Sequence, residues 1–169
     1  MAPRPACLRL SPHPATLHVM SHTPAELAAQ LNQHLGGWNE AMGLRFVAVS
    51  PDECVGEVTV GPQHLQPYGI VHGGVHAGII EAACSTGAAV VAMGRGQTVV
   101  GLENATSFIR AARGGTLRVT ARPVTRGRRT QVWEATVTDE ASQVLATGRV
   151  RLLCLEPGAD LVGKPAGLA

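Results

Sequence analysis

The stretch QPYGIVHGGVHAGIIEAAC, residues 66–84, puts two glycines directly behind His72 and a single carboxylate, Glu81, inside an otherwise apolar run. The run continues to Met93 and predicts one long buried helix that begins near His72. By length the part from Ala77 to Met93 suits a bilayer, but Gly78, Glu81, Ser85, Thr86 and Gly87 interrupt it. A lone central carboxylate is costly in lipid, so the segment is read as the core helix of a soluble domain.

Strand patterns lie on both sides of that helix. Before it, LRFVAVS, a turn at PDE and CVGEVTV form a predicted hairpin. After it come TVVGLENATSFIR, TLRVTARPVT, TQVWEATVT and QVLATGRVRLLCL, with turns at RGRR and DEAS that favour antiparallel neighbours. In the last run Val144, Ala146, Val150, Leu152 and Cys154 are expected on one face. Two strands, one long apolar helix and four strands make an α+β domain in which one antiparallel sheet covers one helix.

Further out, HTPAELAAQLNQHLGG predicts a helix with Thr23 as N-cap, Pro24 at its first position, Glu26 completing a capping box and Gly36 at its end. Residues 1–22 carry four prolines and little periodicity. They are expected to be a loosely ordered extension, with Met20 as a candidate true start. The domain is placed at residues 23–155, and residues 156–169 read as a tail.

Composition limits what such a domain can do. Of 169 residues 45% are hydrophobic and 15% charged, enough apolar content for one compact core, and with aromatics at only 3% that core must rest on Val, Leu, Ile and Ala. A net charge of +2 is too mild to make nucleic acid or an anionic membrane the main partner. Cys7, Cys54, Cys84 and Cys154 are far apart, with no CxxC pair. They are expected to be reduced, buried thiols of a cytoplasmic protein.

The chemistry gathers around the quoted stretch. A helix starting at His72 aims the backbone N–H groups of Gly73 and Gly74 outward, where they can hold an anion or a developing oxyanion. The same glycines could serve only a tight turn. At about 100° per residue Glu81 lies about 180° around the helix from His72, with Ser85 one turn above it. Either the two features are unrelated, or the carboxylate completes a site with a second chain. A desolvated Glu81 suits a base or nucleophile, the alternative being a salt bridge to an Arg or Lys. His72 and His76 have a spacing zinc ligands can use, but no third ligand lies near, and no metal is expected.

The ordered run Gln66, Tyr68, His72, Gly73, Gly74 and Glu81, together with the strand pattern through residue 155, resembles the hotdog-fold acyl-CoA thioesterases. Within that family it is similar to the Glu-dependent 4-hydroxybenzoyl-CoA and phenylacetate-pathway branch. The resemblance implies hydrolysis of an acyl-CoA to free acid and CoA, without a cofactor. It implies that Gly73 polarises the thioester carbonyl, Gln66 orients thioester or water, Glu81 acts as nucleophile or base and Ser85 positions water, while His72, read from its own place before the helix, is expected to anchor the turn. Gly74 and Tyr68 would line the substrate, and Arg126, Arg128 and Arg129, clustered on one hairpin, could meet CoA phosphates or simply keep a turn solvated. Family sites straddle a homodimer, often paired further into a homotetramer. Two rival readings are a hydratase using His76 with Glu81 and a protein that binds acyl-CoA without turnover.

Overall fold

The computed structural model describes residues 22–161 and 164–165, so the expected extension lies outside the described residues apart from His22. Helix α1, Pro24–Asn32, starts as its sequence predicts: the Thr23 hydroxyl accepts from the Glu26 N–H at 3.3 Å and the Glu26 carboxylate accepts from the Thr23 N–H at 2.7 Å. It stops four residues short of Gly36. The Asn32 side chain turns to the backbone of Phe46, donating to its carbonyl and accepting from its N–H at 2.8 Å each. Gly36 and Gly37 then take positive φ, of 55° and 54°, and lead into a short helix α2, Gly37–Ala41, which has no counterpart in the sequence reading.

Strands β1, Arg45–Val49, and β2, Cys54–Thr59, form the expected hairpin. The long helix α3, Gly73–Met93, is followed by β3, Thr98–Phe108, β4, Thr116–Arg126, β5, Thr130–Thr138, and β6, Val144–Leu155. All six strands join one antiparallel sheet in the order β1-β2-β4-β5-β6-β3. The crossover through α3 therefore carries the chain from β2 to the opposite edge of the sheet. This is the hotdog arrangement, one antiparallel sheet wrapped around one long helix. Past it, Asp160–Leu161 and Lys164–Pro165 pair as a short ribbon inside the expected tail.

The core lies between helix and sheet. Ile79, Ile80, Ala83, Cys84 and Ala88 of α3 meet Leu117, Val119, Trp133, Val137 and Leu152 of the strands, all of them fully or almost fully buried. Trp133 is seated on Gly87, where a Cβ would fall 2.5 Å from its ring. Its indole N–H donates to Gln131 Oε1, and the Gln131 amide donates to the Ala88 carbonyl, so this buried polar pair is satisfied. Burial pushes the Cys54 thiol up to about 12 and raises Cys84 as well, which keeps both protonated as small core groups. Although α3 has the length and hydropathy of a membrane span, the sheet takes its apolar side.

One face assignment needs correction. Val144 is 38% exposed while Leu145 is buried, because the β5–β6 pairing shifts register beside Val137, which pairs with Ala146 while Thr138 pairs with Val144. The extra residue, Leu145, takes the inward place that alternation had given to its neighbour.

Candidate active site

The turn in front of α3 is built on two histidines. Buried His64 accepts from the Gly61 N–H through Nδ1, leaving Nε2–H to donate to the Met42 carbonyl at 3.0 Å, and the His64 carbonyl accepts from the His72 N–H. His72 caps the helix: its backbone is extended and its Nδ1 accepts from the Gly74 N–H at 2.8 Å. That bond removes Gly74 as an oxyanion donor, contrary to the expectation that both glycines present free N–H groups. Among the described residues no acceptor takes the Gly73 N–H, so Gly73 is the available donor at the helix end.

A bare Cα at Gly73 also has a packing reason. Any Cβ there would lie 2.8 Å from Phe108 Cζ, so the ring of this β3 residue closes down over the helix start. Phe108 is 61% exposed and Tyr68 81% exposed. Both are available as apolar walls, whereas Trp133 is sealed in the core and cannot shape a pocket. Gln66 is half-buried at the base of the turn, its backbone paired with Ile70 and Gly69. Arg113 braces the same turn by donating to the Tyr68 and Gly69 carbonyls.

Glu81 is half-buried rather than buried, and among the described residues it pairs with no Arg or Lys. Its carboxylate is held by neutral donors instead. Ser85 Oγ donates to Oε1 at 3.0 Å and Asn104 Nδ2, from β3, donates to Oε2 at 3.0 Å. Gly101 lets β3 come this close, since a Cβ there would stand 2.7 Å from Glu81 Oε1. Ser85 is thus where the one-turn spacing predicted. Asn104 and Gly101 escaped the sequence reading, although an Asn within a predicted strand is unfavourable there and is a signal that could have drawn attention.

His76 does not join Glu81. It is buried beside the Phe108 ring, 6.3 Å between centroids, among the described residues its Nδ1 has no partner, and burial lowers its pKa so that it stays neutral. A hydratase pair of His76 and Glu81 is therefore not assembled within this chain. The arginine hairpin lies at the other end of α3, where Arg95 and Gln97 donate to the carbonyls of Arg126, Gly127 and Arg128. There Arg126 pairs with Asp52 and Arg128 with Glu156, while Arg129 is exposed and, among the described residues, has no carboxylate beside it.

Comparison with known proteins now decides the family. A candidate esterase of Mycobacterium tuberculosis is 40% identical over 121 residues, 70% of this chain and 86% of the relative, and its solved structure superimposes with a TM-score of 0.69 over 70% of this chain and 96% of that one. Residues 68–146 match the description of the thioesterase superfamily. The chain belongs to the thioesterase superfamily. Another member, the 1,4-dihydroxy-2-naphthoyl-CoA hydrolase of Listeria monocytogenes, is 34% identical over 67% of this chain and 91% of its own length. Two crystal structures of a Staphylococcus aureus thioesterase are 25% identical to it with TM-scores of 0.67, covering 70% and 69% of this chain and 98% and 97% of theirs. One has alanine in place of a glutamate and the other in place of a glutamine, the two positions being fifteen residues apart, as Gln66 and Glu81 are here.

Around α3 the chain thus presents a Gly73 N–H that no acceptor takes among the described residues, a Glu81 carboxylate held by two hydrogen bonds, and two exposed aromatic rings, Tyr68 and Phe108.

Proposed function

We propose that this thioesterase hydrolyses acyl-CoA to free acid and CoA at a site shared by two copies of the chain. The observation that carries the reading is the setting of Glu81: a carboxylate held by Ser85 and Asn104 beside β3, the sheet edge that no strand covers among the described residues. Along one helix Gly73 and Glu81 are eight residues apart, about 12 Å of axial rise, which is more than a glutamate side chain spans. A second chain brought against β3 would present its own Gly73 and Gln66 to this Glu81.

In that site the Gly73 N–H, backed by the helix dipole, donates to the thioester oxygen as negative charge builds on it. Glu81 either deprotonates a water that attacks the carbonyl carbon or attacks it directly, and the CoA thiolate departs; in the second case the mixed anhydride left on Glu81 is hydrolysed by water to free acid and the regenerated carboxylate. The Ser85 hydroxyl, with its proton directed to Glu81, keeps lone pairs free to accept from that water. Gln66 orients thioester or water from the opposite chain. His72 fixes the turn, and Tyr68 and Phe108 flank the acyl group. The spacing shared with the altered Staphylococcus aureus positions supports the pairing of Gln66 with Glu81. The name of the Listeria relative supports an acyl-CoA substrate with an aromatic acyl group, and dimers paired into a tetramer belong to the same reading.

The test is release of free thiol from aromatic, short-chain and long-chain acyl-CoAs. Turnover near the enzymatic norm of about 10 per second is expected for at least one class. Tight binding with less than about one turnover per minute on all of them would make the chain a binding protein instead.

Of the hairpin, Arg129 is the proposed contact for CoA phosphates, because Arg126 and Arg128 already face Asp52 and Glu156. Arg129→Ala is expected to raise KM for acyl-CoA by about tenfold with kcat within about twofold, since a phosphate contact is alike in ground and transition states. Kinetics with a truncated thioester that lacks the nucleotide should show no difference from the parent. An equal loss on both substrates would point to damaged folding.

A further inference from the structure

Strand β3 presents an anomaly on its helix-facing side. Asn104 is paired with Val150 and Thr106 with Gly148, and Val150 is buried while Gly148 faces Ile80 of α3, so both polar residues point toward the core side of the sheet. Alternation from Gly101 would have turned Asn104 outward. A bulge prevents this: Gly101 pairs with Leu152 but Glu103 with Arg151, leaving Leu102 unmatched and advancing the strand by one residue. Gly101 and Asn104, three residues apart, thereby both reach Glu81.

The contacts on the far side of Asn104 then fix its amide. Nδ2 donates to Glu81 Oε2 at 3.0 Å and to the Ala77 carbonyl at 3.1 Å, while Oδ1 accepts from the Thr106 hydroxyl at 2.6 Å. A flipped amide would set oxygen against two acceptors, so only one orientation satisfies the three partners. With Ser85 on the other oxygen, the carboxylate is pinned in both position and plane.

We propose that Asn104 and Thr106 are positioning residues: the β3 bulge brings them inward to orient the Glu81 carboxylate for reaction, Thr106 acting only through Asn104. The proposal rests on Glu81 being base or nucleophile. An uncorrected carboxylate rotation of this kind slows the chemical step and leaves substrate affinity alone, since the misplaced oxygen matters most when its bond or proton transfer is under way.

Steady-state kinetics on the full chain, with thermal midpoints and oligomer mass recorded for each variant, test this. Asn104→Ala is expected to lower kcat by ~10- to 100-fold with KM within about threefold of the parent. Thr106→Val, which removes the hydroxyl at constant shape, should lower kcat by about three- to tenfold, and Thr106→Ser should restore it. In the Asn104→Ala background Thr106→Val should add nothing beyond about twofold, because its route to Glu81 is already cut. The proposal is overturned if Asn104→Ala keeps full kcat while Glu81→Gln is inactive, or if the two effects multiply. Should Asn104→Ala lose its fold or assembly, the comparison of Thr106→Val with Thr106→Ser decides alone, equal kcat for the two counting against the relay. Full turnover by Glu81→Gln would instead remove the reading of Glu81 itself.

Discussion

Glu81→Gln is expected to keep the fold and acyl-CoA binding while turnover falls by at least ~10²-fold, about 2.7 kcal/mol of transition-state stabilisation. The side chain stays nearly isosteric, and its surroundings can accept an amide. Oε1 of the glutamine would take the Asn104 Nδ2–H, and the Ser85 hydroxyl would rotate to accept from the new NH2 group, so neither partner is left unpaired. What disappears is the anionic oxygen that takes a proton from water or bonds to the carbonyl carbon. Thiol release under saturating acyl-CoA, with binding followed separately by calorimetry, makes the measurement. A rate within a factor of about three of the parent would remove Glu81 from the chemistry.

Mixing two inactive variants should bring activity back. Gln66→Ala and Glu81→Gln are each expected to be nearly inactive as homodimers, because every shared site then lacks one group. A mixed dimer has one site with native Gln66 from one chain and native Glu81 from the other, and a second site carrying both defects. Random reassortment of equal amounts makes about half the dimers mixed, so activity should recover to roughly a quarter of the parent. Co-refolding of differently tagged chains followed by thiol release checks it. Confirmed exchange without recovery would mean that each chain holds a whole site, in conflict with the 12 Å or so of helix between Gly73 and Glu81.

The elements of the domain were readable because each obeys a local rule. The Thr23-to-Glu26 box, the hairpin around Pro51, the alternation of Leu117, Val119 and Ala121 and the unbroken apolar run of α3 all say the same thing at short range. Glu81 and Ser85 were visible for the same reason, one turn apart on one helix. What stayed hidden depends on register. A single unmatched residue at Leu102 decides that Asn104 faces the carboxylate, and another at Leu145 exposes Val144; neither leaves a mark in the hydropathy pattern. The hydrogen bond that takes the Gly74 N–H out of use is a matter of the His72 rotamer, and the carboxylates opposite Arg126 and Arg128 come from distant parts of the chain.

The contact between Asn32 and Phe46 has a consequence for how copies of this chain can associate. By giving the Phe46 carbonyl a donor and its N–H an acceptor, and with α1 lying along β1, that side chain imitates the next strand and blunts the sheet on this border. The other border, β3, Thr98–Phe108, has no strand paired along its outer side among the described residues. A sheet with one open and one stopped border cannot add copies head to tail. Two open borders can meet only about a two-fold axis, and the result has a stopped border at each end, so edge-to-edge growth of the sheet terminates at the pair and that route to fibres is closed.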